Sequence, residues 1–66
     1  MAYTVWYETD QHLRLTTIYR GGLTEFKKMI KKAGWKIRSI EFENKDGKVV
    51  RKELYVDNKR TVVYEY

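Results

Sequence analysis

Apolar and polar positions along this chain change their period from segment to segment, and each change marks an element. Tyr3 to Tyr7 is short and aromatic, with β-branched Thr4 and Val5 inside it, and predicts a strand. The polar run Glu8-Thr9-Asp10-Gln11-His12 reads as its connection. Leu13 to Tyr19 then alternates, with Leu13, Leu15, Thr17 and Tyr19 on one face and Arg14, Thr16 and Ile18 on the other. The two segments form a hairpin, and Gly21-Gly22 breaks the alternation.

A helical period follows. Leu23, Phe26, Met29, Ile30 and Ala33 fall on one stripe at helical spacing. Thr24 suits the N-cap and Glu25 suits the positive end of the helix dipole. Gly34 suits the left-handed position past the last turn, with Trp35 packing back on Ile30.

Period two then returns. In Lys36 to Glu43 the phase slips, Ile37 lying in one register and Ile40 and Phe42 in the other, which predicts a bulge near Arg38-Ser39. Asn44-Lys45-Asp46-Gly47 reads as a type I turn with glycine at the left-handed position. Val49 to Val56 is the next strand, and Asn58-Lys59 is the expected tight turn into Arg60 to Tyr66. That turn pairs Val56 with Thr61, Leu54 with Val63 and Lys52 with Glu65. Leu54 and Val63 would then face the helix, and Arg51, Glu53, Tyr55, Val62, Tyr64 and Tyr66 would face away. The expected fold is α+β, two-layer, in the order ββαβββ: one antiparallel-rich sheet with one amphipathic helix on one face, as a single domain spanning 1–66.

Size limits what this fold can do. A chain of 66 residues buries only about 60% of the surface its unfolded form exposes. That leaves room for one thin core and none for an enclosed substrate pocket. Without cysteine there is no disulfide framework and no thiolate metal site. His12 is the only histidine, Ser39 the only serine, and neither sits in a catalytic pattern. Asp10, Asp46 and Asp57 stand where turns favour aspartate. The expectation is a chain with no enzyme activity, no metal and no cofactor. No apolar run approaches the roughly 18 residues of a membrane span, and Met1-Ala2-Tyr3-Thr4 lacks a signal-peptide pattern, so a cytoplasmic protein without membrane contact is expected.

Charge adds the main functional clue. The chain's net +5 resides in Thr24 to Arg38, where Lys27, Lys28, Lys31, Lys32, Lys36 and Arg38 face the single acid Glu25. Helical phasing puts Lys27, Lys28, Lys31 and Lys32 opposite the apolar stripe, as like-charge i,i+4 pairs that each cost about 0.2–0.5 kcal/mol. A localised positive field of this kind predicts an anionic partner, although cations near a helix C-terminus also gain from the dipole. Lysine suits phosphate contact better than base readout, which points to a weakly sequence-specific nucleic-acid-binding module. Aromatic and basic side chains on the uncovered sheet face (Trp6, Arg51, Tyr55, Tyr64 and Tyr66) form a second candidate surface. The alternative is a small protein-binding adaptor or inhibitor of phage or plasmid type. It would hold an acidic protein surface through the helix, or form a homodimer through the aromatic face.

Overall fold

The computed structural model describes residues 2–66. Its elements are β1 (Ala2–Glu8), β2 (Arg14–Tyr19), α1 (Leu23–Lys32), β3 (Lys36–Glu43), β4 (Val49–Val56) and β5 (Lys59–Glu65). The strands form one sheet in the order β2-β1-β3-β4-β5, every neighbouring pair antiparallel. The α+β order ββαβββ is therefore the fold.

Hydrophobic burial holds the two layers together. Val5 and Tyr7 of β1, Ile37 and Ile40 of β3, and Phe26 and Ile30 of α1 are the buried apolar residues. Each such side chain is worth roughly 1.5–3 kcal/mol when fully removed from water. Aromatic rings close the rim: Tyr7 stacks on Trp35 at 5.6 Å, and Phe26 meets Tyr19 at 4.8 Å between centroids. All of these contacts belong to the β2-β1-β3 half of the sheet, which is where the helix lies.

The helix differs from expectation at its start and in its rotation. It begins at Leu23 with Gly22 as N-cap, and Thr24 makes no capping hydrogen bond. Gly22 is extended and its carbonyl accepts the Phe26 N–H, so the helix starts early enough to bring Leu23 onto the core. The stripe facing the sheet is Leu23, Phe26 and Ile30, with half-buried Lys27 beside it, while Met29 is 50% exposed and Ala33 lies in solvent. The C-terminus matches expectation. Gly34 has φ +78°, its N–H reaches the Lys31 carbonyl, and the Trp35 N–H reaches the Ile30 carbonyl, which is the hydrogen-bond pair of a Schellman ending.

Three bulges set the faces of the strands. The first is the expected one: Trp6 pairs with Ser39 and Tyr7 with Ile37, leaving Arg38 as the extra residue. It lets Ile37 and Ile40, which differ in phase, share the core. A second, at Val50, shifts β4 by one residue against β3, so Phe42 opposes Arg51 and Ile40 opposes Glu53. Because side chains alternate along a strand, this shift turns Arg51, Glu53 and Tyr55 to the helix side and Leu54 to the open side, reversing the expected phase of β4. The third lies at Thr61, where Leu54 pairs with Val62 but Tyr55 with Arg60.

The turn before β5 is also one residue earlier than expected. Asp57 and Asn58, at φ +52° and +63°, are its two central residues. Positive φ at both positions is the type I′ geometry that fits the twist of a hairpin. The earlier turn and the Thr61 bulge together pair Leu54 with Val62 and Lys52 with Tyr64 rather than Leu54 with Val63 and Lys52 with Glu65. The Asn44–Gly47 turn agrees with expectation, the Gly47 N–H reaching the Asn44 carbonyl at 3.0 Å with Gly47 at φ +78°.

Candidate nucleic-acid interface

The basic cluster is contiguous in sequence but divides in space. Lys28, Lys31 and Lys32 are exposed on α1, away from the stripe that packs on β1 and β3. Lys27 is not on that outer surface. It flanks the buried stripe, and its Nζ lies 5.3 Å from the centroid of the Tyr55 ring, a cation–π contact that sequence periodicity did not reveal. Lys36 is exposed and its Nζ is held by Asp57 Oδ1 at 3.1 Å. Arg38, as the bulge residue, lines a depression beside Trp6 on the opposite side of the sheet.

Ion pairing separates these groups further. Arg14 meets Glu8, Lys52 meets Glu41, Arg51 meets Glu53 and Glu65, and Arg60 meets Glu53. Among the described residues, none of Lys27, Lys28, Lys31 and Lys32 has an acidic partner within ion-pair distance. The sheet neutralises most of its own charge internally, and Lys28, Lys31 and Lys32 of the helix leave theirs to the solvent.

The aromatic surface is likewise rearranged. Trp6 and Tyr64 lie on the open face as expected, together with Ile18, Leu54 and Val62, and Tyr66, past the end of β5, is exposed. Arg51 and Tyr55 do not join them, because the Val50 bulge turns both to the helix side. There they surround Glu53, which is 4% exposed. Its carboxylate accepts hydrogen bonds from Arg51 Nε and Nη2 at 3.0 and 2.8 Å, from Arg60 Nη1 at 3.3 Å and from Tyr55 Oη at 2.6 Å. Burial by itself would raise the Glu53 pKa, but the bonds from Tyr55, Arg51 and Arg60 outweigh it and hold the group below its ordinary value. Burial and the bond to Glu53 push the Tyr55 phenol well above its ordinary range. With three of these bonds on Oε2 and one on Oε1, the carboxylate is a fastener between β4 and β5.

Among the described residues no group of three or more potential metal ligands comes together, and no helix is long and apolar enough to cross a membrane. No family model, curated protein or solved structure matches this chain.

Proposed function

We propose that this chain is a small nucleic-acid-binding module in which the outer surface of α1 contacts phosphates with little regard to base sequence. The observation that carries this reading is the set Lys28, Lys31 and Lys32: exposed on one short helix, with no acidic partner among the described residues. Lys28 and Lys32 repel each other at i,i+4 spacing, and a bound phosphate relieves that cost. An ammonium is a point charge without the fork of arginine, so it fits a phosphate and discriminates poorly among bases. Lys27, tethered over Tyr55, Lys36, paired with Asp57, and Arg38, on the far side, are peripheral to this contact.

The test is titration of duplex DNA and of RNA across a range of salt concentrations. If three phosphates are neutralised, the log–log salt slope on duplex DNA falls by about 2.7 in magnitude when Lys28, Lys31 and Lys32 are all changed to Glu, at about 0.9 per phosphate. Unchanged affinity and slope in that variant would defeat the reading. The alternative, an acidic protein held by the same helix, is separated by capture from lysate with and without nuclease: a nucleic-acid partner disappears with nuclease and a protein partner survives it.

A further inference from the structure

On the sheet face opposite α1 lies a shallow depression of about 310 Å³, lined by Trp6, Arg14, Thr16, Arg38, Ser39 and Lys52 among others. Its construction follows from the register. Trp6 pairs with Thr16 on one side and Ser39 on the other, so an indole is flanked by two hydroxyl-bearing strands. Since Val5 and Tyr7 are buried under the helix, Trp6 between them points to the open face. The bulge inserts Arg38 beside this row, and bulges commonly re-aim a side chain next to a binding site.

The charge is loosely committed. Arg14 and Lys52 lie 3.7 and 3.9 Å from Glu8 and Glu41 respectively, longer than a good charged hydrogen bond, and Arg38 has no acidic partner among the described residues. One half-buried indole, three cations and two hydroxyls therefore converge in a space at the small end of ligand sites, which run from roughly 300 to 1,000 Å³.

We infer that this depression takes one unpaired nucleotide of a single-stranded nucleic acid. The base stacks on Trp6, and Arg14, Arg38 and Lys52 hold the phosphates on either side of it. An aromatic platform with backbone-tracking cations binds any base through its π-face, so little sequence preference is expected. This site shares with the proposed function the premise of a nucleic-acid partner, but none of its residues. The open face and the outer face of α1 lie on opposite sides of the molecule, and each can be tested with the other intact.

The experiment is fluorescence titration with a single-stranded thymidine oligonucleotide of about ten nucleotides, a length within the span of known single-strand sites. A W35F background leaves Trp6 as the only indole. Quenching of Trp6 that saturates, together with a loss of affinity of about 5- to 100-fold in W6A, is the expected result. Arg38→Glu and Arg14→Glu, both at exposed positions, provide a second route if W6A fails to fold, and each should weaken binding and flatten its salt dependence. Three results would overturn the inference: no quenching at saturation, a mononucleotide binding as tightly as the oligonucleotide, or a Trp6 signal that tracks self-association without oligonucleotide. The last would assign the face to a second copy of the chain. Lys28, Lys31 and Lys32 changed to Glu separates the two sites. Duplex binding lost with Trp6 quenching retained supports both assignments, whereas duplex binding intact in the wild type with Trp6 silent removes only this one.

Discussion

Asn58 shows how much one side chain can do at the residue scale. Its backbone occupies the second positive-φ position of the type I′ turn, and its amide ties that turn to the start of β3. Asn58 Oδ1 accepts the Ile37 N–H at 2.7 Å, and Asn58 Nδ2 donates to the Trp35 carbonyl at 3.1 Å. Asn58→Gly keeps the backbone conformation and removes both bonds, leaving a part-buried donor and acceptor unpaired at about 1–3 kcal/mol. Asn58→Asp keeps the acceptor for the Ile37 N–H but sets a carboxylate oxygen against the Trp35 carbonyl. Urea denaturation should rank the wild type above both Asn58→Asp and Asn58→Gly. Equal midpoints for the wild type and the glycine variant would show that the bridge adds nothing.

Glu53 makes the second residue-scale prediction, in pH. Its folded pKa is depressed, so its contribution is fully present above the unfolded value of 4.5 and is lost as pH falls through the lower folded value. Glu53→Gln should cost about 1–3 kcal/mol at neutral pH, since hydrogen bonds to a charged group are lost from a site that the arginines share with solvent. It should also flatten the fall of stability below pH 4.5. Thermal unfolding of both proteins from neutral to acid pH checks this, and parallel profiles would contradict it.

At the scale of the element, α1 carries charge in an arrangement that weakens it. Lys28 and Lys32 form a like-charge i,i+4 pair on the exposed surface. Lys28→Glu converts that repulsion to attraction, which should raise stability by about 0.4–1 kcal/mol at low salt. The same substitution should weaken nucleic-acid binding. Opposite signs in the two measurements mark a helix whose composition favours contact over stability; a variant that is stabilised and binds equally well would mark the lysines as solvating only. Much of this element was legible in advance. Glycine before tryptophan announced its Schellman ending, whereas its start lies two residues ahead of the expected Thr24 cap. Its rotation was not legible, because Met29 and Lys27 sit on opposite flanks of the stripe and apolar counting favours methionine. Contact with Tyr55 settles the matter for Lys27, and Tyr55 faces the helix only because of a bulge in another strand.

For the whole molecule, the helix covers one half of one face of the sheet. The buried apolar residues come from β1, β3 and α1, while every residue of β5 is exposed and most of β2 is too. Local opening should follow that division. Amide exchange ought to be slowest around Val5 and Ile40 at the centre and fastest along β5, whose outer edge has no neighbour among the described residues. Comparable protection in β5 and β1 would mean that the outer edge is covered in solution, as a strand-to-strand association between copies would do.

The sequence by itself determined the elements, their order, the basic helix and two of the bends. Those features rest on local physics: the period of apolar residues, the conformational freedom of Gly34 and Gly47, and the phase conflict between Ile37 and Ile40 that demands a bulge. Only the tertiary structure decided which way β4 faces and which cations lie together. A bulge at Val50 has no local signature, since Val49 and Val50 satisfy a strand in either phase, yet it turns Arg51, Glu53 and Tyr55 together. Likewise the charge run is one segment in the chain and four environments in the fold. Lys28, Lys31 and Lys32 meet solvent, Lys27 lies over Tyr55, Lys36 meets Asp57, and Arg38 passes to the far face to stand with Arg14 and Lys52. Pairing register is a long-range property, and a shift of one residue in it reassigns every side chain of a strand to the opposite surface.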